Sequence, residues 1–369
     1  NFIMTSGRFA GTWILVHGII FVPLRLFVAY LPSSLSFGPS ANRMCFSGTL
    51  GGLFVLPTPE MERSEWPRDS EEEVASMEDW RSTSLTASIA VTIFSRPSSL
   101  DKDAIVQVKE RTRGWHTIGT SGGAARSIYH GVYRVDARSG IVDPLDVGPS
   151  DYVRTMAAIA LASMVDRDGD VPLRFLHFGF GAGGLARLVG HHVPGSTHLS
   201  VELDEGVVAA AAEMGLSDRR GQRIESGDAL LYGRPGGPPH DGARFDCIFV
   251  DVFDGANVLP PGFLDDAYLR GLRDRVLAPG GIVVHNLHEG TDALASRLEG
   301  ACAAYGRIFR SCCRVASLNN GAQGGNVILL ASTGPSVSRS LCARAEEARL
   351  RWGLRFDAAA RVEGARRFE

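Results

Sequence analysis

From Leu173 to Ala331 the chain alternates short apolar runs with stretches whose apolar residues recur every three or four positions. The runs Leu173–Phe178, His198–Glu202, Gln222–Glu225, Phe245–Asp251, Ile282–Asn286, Ile308–Val315 and Asn326–Ala331 predict strands. Leu185–His192, Glu205–Met214, Phe263–Val276 and Asp292–Tyr305 predict the helices between them. A further helix opens ahead of the first strand, with Ser150 or Asp151 as N-cap. Tyr152, Met156, Ile159, Ala160 and Met164 give it one apolar face. Strict alternation of this kind predicts an α/β protein with a Rossmann-like doubly wound sheet of seven strands. The last two runs have no helix between them, and Gly321–Gly325 predicts a hairpin, so the last strand is antiparallel.

The pattern is different upstream. Over 85–148 the runs "SIAVTIF", "AIVQVKERT", "WHTIGTS" and "RSIYHGVYRVD" are short and separated by Gly, Pro, Ser and Asp, which predicts a small antiparallel β lobe. Its aromatic residues Trp115, Tyr129 and Tyr133 are expected to pack against the following domain. Residues 60–84 are acidic and aperiodic and read as a solvated linker. Residues 1–59 contain no Asp or Glu, and include the nineteen-residue apolar run Trp13–Leu31 interrupted by His17, Pro23 and Arg25. Three readings stand: a targeting leader to a plastid or mitochondrion, a membrane anchor through residues 13–31, or a structured extension. Residues 336–369 form an Arg-rich tail, in which Leu341, Ala345, Ala348 and Trp352 could share one helix face. The expectation there is a solvated or docked tail after a domain spanning 149–335.

Composition narrows the function classes. A net charge of −3, with arginine scattered rather than clustered, gives no footprint for nucleic acid. None of the six cysteines forms a CxxC pair, so neither a zinc ribbon nor a redox motif is expected. Cys247 and the Cys312–Cys313 pair read as core residues, and His191–His192 as an answer to a helix dipole. His285 and His288 flank a strand end, a poor arrangement for a shared metal, and none is expected.

The candidate chemistry starts at "FGFGAGGL". Gly179, Gly181 and Gly183 form a strand-to-helix turn that lets a ligand approach bare backbone. Glu202, nineteen residues past Gly183, stands where such folds grip a ribose. Downstream, "SGDALLYG" places Asp228 and Ala229 at a strand end suited to an adenine. "FDCIFVDVFDG" ends the next strand with Asp251 and Asp254, and "LAPGGIVVHNLH" follows.

These motifs together resemble the spermidine-synthase-like branch of the class I S-adenosylmethionine-dependent methyltransferase superfamily, over about Asp103–Ser332. The resemblance is nearest to spermidine-synthase-like proteins and to methyltransferases acting on a translation elongation factor. It implies S-adenosyl-L-methionine as cofactor, with its decarboxylated form as the lesser alternative. It also implies cofactor contacts from Gly179, Gly181, Gly183, Glu202, Asp228, Ala229 and Asp251, with Asp251 and Asp254 as catalytic candidates. Asp254 before Gly255 reads equally as a turn residue.

The departures bear on substrate. Aminopropyltransferases place an aspartate in the glycine turn, where this chain has Ala182, and a Tyr-His-Glu-like run where it has Val153–Met156. Burying a diamine without those carboxylates would cost several kcal/mol per ammonium. Methyl transfer to an unidentified protein or small-molecule acceptor is therefore the first expectation. A scaffold subunit of an organellar complex that has lost catalysis is the second, polyamine aminopropyl transfer a further one, and an NAD-dependent oxidoreductase the last.

Overall fold

The structure of the protein, a computed structural model, describes residues 27–30, 53–56 and 91–368, apart from 111–113, 124, 137–138, 148–150, 168–170, 217–220, 239–241, 255–257, 289–291, 318–324 and 335–339. The Ser150 cap, the 60–84 linker, residues 321–324 of the expected turn and most of the N-terminal 59 residues lie outside these, and so does most of the Trp13–Leu31 run. Residues 1–80 and 81–369 form two units. In the first, β1 (Phe27–Tyr30) pairs antiparallel with β2 (Leu53–Leu56). Among the described residues no helix is long and apolar enough to cross a membrane.

The second unit begins with the predicted lobe: β3 (Val91–Pro97), β4 (Ala104–Glu110), β5 (Trp115–Gly122) and β6 (Ala125–Arg134) form an antiparallel meander. Along β4, buried Ala104, Val106 and Val108 alternate with more exposed Ile105 and Gln107, as a strand with one wet face requires. The inward face packs on Val207, Ala210 and Ala211 of the next domain through Val106, Val108, Ile118 and Tyr133. Tyr133 thus meets the expectation for it, while Trp115 lies under the Arg134 guanidinium; the side chain of Tyr129 is outside the described set.

Next come α1 (Asp151–Met164), β7 (Arg174–Phe178), α2 (Gly184–His192), β8 (Thr197–Glu202), α3 (Glu205–Glu213) and β9 (Gln222–Ser226). β10 (Phe245–Val250), α4 (Asp266–Gly271), β11 (Leu277–His288), α5 (Asp292–Gly306), β12 (Ser311–Ala316) and β13 (Asn326–Ser332) complete the alternation. The sheet order is β14-β12-β13-β11-β10-β7-β8-β9, where β14 is Arg366–Phe368. The strands from β9 through β11 pair parallel, and β13 runs antiparallel to both of its neighbours.

One face of the sheet is covered by α1, α2 and α6 (Leu341–Trp352), the other by α4 and α5. α1 is buried on nearly all sides, which accounts for its four alanines between Ala157 and Ala162: they let the sheet and α6 close on it. Cys312 and Cys313 point into opposite cores, and burial pushes their thiols up to about 12 and about 11. They are inert packing residues, as is Cys247.

Two expectations are corrected. The sheet has eight strands rather than seven, because the C-terminal stretch takes the docked alternative and adds β14. Leu341, Ala345 and Ala348 bury against α1, and Leu354, Phe356, Ala358 and Val362 extend the same core. α7 (Ala358–Arg361) then brings Arg361 into a buried ion pair with Asp151, and β14 pairs with β12. Asp151 is therefore a buried ion-pair partner inside the first turn of α1. Nor does His192 meet a helix dipole as a cation. Burial lowers its pKa to about 4, and it lies 3.3 Å from the Trp352 carbonyl, a contact that a neutral ring N–H satisfies.

Candidate functional site

A cleft of about 750 Å³ opens at the carboxyl ends of β7, β8, β10 and β11, with the lobe as one wall. This is the edge where doubly wound sheets bind ligands. All the residues singled out from the sequence line it: Gly179, Gly181, Gly183, Glu202, Asp228, Ala229, Asp251 and Asp254.

The glycine turn is held by three sets of contacts. Gly179 has φ 82, and a Cβ there would stand 2.3 Å from the Asp251 carbonyl. Gly181 has φ 54, and a Cβ there would meet the His130 carbonyl at 2.2 Å. Glycine is thus demanded by the protein's own backbone as well as by the left-handed conformation. Between them and α2, Ala182 donates its N–H to His130 O at 3.1 Å and accepts from the buried Arg187 at 3.0 Å. A Cβ on Gly131 would lie only 3.0 Å from that of Ala182. The lobe strand β6 therefore lies directly on the turn, against the Cβ of Ala182.

Glu202 fixes the turn from the other side. Its Oε2 accepts from the Phe180 and Gly181 amides at 3.0 and 3.2 Å, and its Oε1 from Asp204 N at 3.1 Å. Hydrogen bonds to a charged group contribute about 1.5–3 kcal/mol each. The acid expected to face a ribose also positions the glycine backbone. Asp204 is itself structural: Ser98 and Ser99 of the lobe and the Gly206 amide donate to it. Burial alone would raise its pKa, but these donors outweigh that and leave the carboxyl below its usual range. Asp228 caps the short 3-10 helix Ala229–Gly233 through Leu230 N at 2.8 Å.

The opposite end of the cleft is a polar chain. Asp251 accepts from Asn286 Nδ2 at 2.8 Å and from Tyr152 of α1. Burial raises its pKa, and the two donors partly offset this. Asn326 Nδ2 reaches Asn286 Oδ1 at 2.8 Å and His288 Nε2 at 3.2 Å. The ring of His288 stands edge-on to Phe253 at 5.0 Å. Asp254 is exposed, and its backbone and Oδ1 close a turn onto Val258, so it does what a turn residue does. His285 faces the other core and lies 2.9 Å from the Tyr305 hydroxyl, on the opposite face of β11 from His288. Among the described residues no group of three or more His, Cys, Asp or Glu is placed to hold a metal ion.

Tyr152, Asn286, His288 and Asn326 escaped the reading as site residues. Tyr152 had been counted only as part of an apolar helix face. The available signal was Asn286 and His288, polar residues at the carboxyl end of an otherwise apolar strand. His130 of the lobe was missed as well. It lies 2.7 Å from Thr120 Oγ1, and burial lowers its pKa against the pull of Glu202 and Asp204.

No family model matches the chain. It is 26% identical over 244 residues to a polyamine aminopropyltransferase of Chromobacterium violaceum, spanning 63% of this chain and 84% of that protein. It is 28% identical over 139 residues to the human eEF1A lysine and N-terminal methyltransferase, spanning 36% of this chain and only 20% of that protein. Among solved structures, a probable spermidine synthase from Corynebacterium glutamicum superposes with a TM-score of 0.54 at 22% identity, over 77% of this chain and 91% of that one. With its four-stranded antiparallel sheet leading into a mixed eight-stranded sheet, the chain has the spermidine-synthase-like fold.

Proposed function

We propose that the protein transfers a methyl group from S-adenosyl-L-methionine to an acceptor held beside Asp251. The observation that carries this reading is the engagement of the glycine-turn amides by Glu202. In a dinucleotide site those amides would face a pyrophosphate. Here a carboxylate already occupies them, and the cleft is lined by Glu202, Asp204, Asp228, Asp251 and Asp254 with no Lys or Arg among its lining residues. That field suits a cationic ligand and opposes a polyanion, which counts against the oxidoreductase reading.

The donor set fits the cofactor. Glu202 would hold the ribose hydroxyls, Asp228 with Ala229 the adenine, and Gly179, Gly181 and Gly183 the methionine part. When bound, the cofactor supplies an electrophilic methyl group. The protein aligns the acceptor in line with it and takes up the acceptor's proton. Asp251 is suited to that uptake: it sits at the end of β10, and burial raises its affinity for a proton. Tyr152 and Asn286 hold its orientation.

Aminopropyl transfer is the second reading, supported by the acidity of the cleft and by the Chromobacterium relative. Ala182 weighs against it, packed against Gly131 where an aspartate would be needed. Calorimetry separates the two. The expected result is binding of S-adenosyl-L-methionine that weakens about a hundredfold in Glu202→Ala, with weaker binding of the decarboxylated form. Turnover of putrescine with the decarboxylated cofactor would reverse the assignment, and absence of heat with either would remove both.

A further inference from the structure

The polar chain at the acceptor end has a direction. An ionised carboxylate can only accept hydrogen bonds, so Asn286 must turn its Nδ2 toward Asp251, as it does at 2.8 Å. Asn286 then presents its Oδ1 to Asn326, which must answer with Nδ2, also at 2.8 Å. The same Nδ2 lies 3.2 Å from His288 Nε2. A donor on that side makes Nε2 the acceptor, so the single proton of a neutral His288 belongs on Nδ1. Amide and imidazole orientations are usually assigned one residue at a time; here one charge orders all of them.

We infer that His288 is a positioning residue whose tautomer is set by the charge on Asp251, relayed through Asn286 and Asn326. Its place in the molecule suggests why. His288 lines the main cleft and also a second, apolar cavity of about 320 Å³ walled by Leu259, Pro261, Leu264, Leu287 and Leu298. An acceptor lying across that shared wall meets a ring whose donor and acceptor sides are already chosen. Burial lowers the pKa of His288, which keeps the ring neutral near pH 7. The four side chains have one other fully paired arrangement. If Asp251 takes up a proton, its O–H donates to Asn286 Oδ1. Asn286 Nδ2 then donates to Asn326 Oδ1, and that oxygen also accepts from His288 Nε2–H. The ring proton has left Nδ1 for solvent and been replaced at Nε2. Proton uptake at one end is thereby read at the other.

The link to an acceptor rests on the methyl-transfer reading, but the tautomer does not. The test is nitrogen NMR of the full chain with 15N-labelled histidine and no cofactor, His288 being assigned by the resonance lost in His288→Gln. The expected spectrum has a pyrrole-type shift on Nδ1 and a pyridine-type shift on Nε2. In Asp251→Asn, whose amide can donate, the two shifts should exchange. Asn286→Ala, which cuts the chain, should leave His288 as a mixture. An Nε2–H tautomer in the unaltered protein overturns the inference. So does an Nδ1–H signal unchanged in both variants. Should Asp251→Asn fail to fold, the unaltered protein and Asn286→Ala still decide it. A correct tautomer without methyl transfer would sink only the proposed function.

Discussion

The two ends of the cleft are built in opposite ways. At the β7–β8 end, backbone does the work: left-handed glycines, a carbonyl from Arg187's partner Ala182, and amides gathered by Glu202. At the β10–β11–β13 end, side chains do it, and the groups that meet are far apart in sequence, 35 residues for Asn286 and Asp251 and 40 for Asn326 and Asn286. The first end is a rigid shape that tolerates little change. The second is a set of orientations that a proton can reorder. A protein made this way can keep one ligand's seat while the chemistry opposite it is altered.

Three substitutions and a titration test that contrast. The largest effect is expected for Asp251→Asn, which should slow methyl transfer about 10²–10⁴-fold, the usual contribution of a positioned acid or base. Its cofactor affinity should stay within about tenfold, because the seat is at the other end; equal losses in both would erase the distinction. Glu202→Ala should do the reverse, with the hundredfold loss of affinity given above and a turnover at saturating cofactor that changes less. Ala182→Asp asks whether the rigid end accepts an acid. A buried carboxylate forced against Gly131 should cost about 2–3 kcal/mol in denaturant unfolding, and a fully stable variant that turned over putrescine would mean the turn is more adaptable than it looks.

The last test concerns pH. Burial depresses His177 and takes His192 to about 4 and His198 and His285 to about 3. Unfolded, each titrates near 6.5. Their contribution to stability is therefore complete above pH 6.5 and is lost as pH falls toward those folded values. Each can remove up to about 1.4 kcal/mol per pH unit. Unfolding measured at pH 7, 6 and 5 should show a decline that begins before the carboxylates titrate; a flat profile over that range would contradict the burial of these rings.

The same contrast explains what the sequence could reveal. The glycine turn, Glu202, Asp228 and Asp251 each follow a strand at short range, so period and spacing are enough to place them. The strands themselves were legible to within a few residues because their apolar runs are bounded by Gly, Pro and Asp. The acceptor-end chain was not legible: Asn286, His288, Asn326 and Tyr152 become neighbours only through the sheet order β10-β11-β13 and the packing of α1. The C-terminal segment was misjudged for a related reason. Its arginines look solvated in sequence, but Arg361 is buried by a partner 210 residues earlier.

That pair has a consequence for the order in which the protein can be made. Asp151 stands next to Tyr152, whose hydroxyl reaches Asp251, and its charge is matched by Arg361, 210 residues further along the chain. During synthesis α1, the glycine turn and the parallel strands β7 to β11 emerge long before Arg361 does. Until it arrives, only Arg154, 4.0 Å away on the same helix, answers the charge of Asp151 in a closing core, and a buried carboxylate so weakly paired is costly. The nascent chain can form a seat for the ligand, but the wall that holds Asp251 in place waits for Arg361 to emerge.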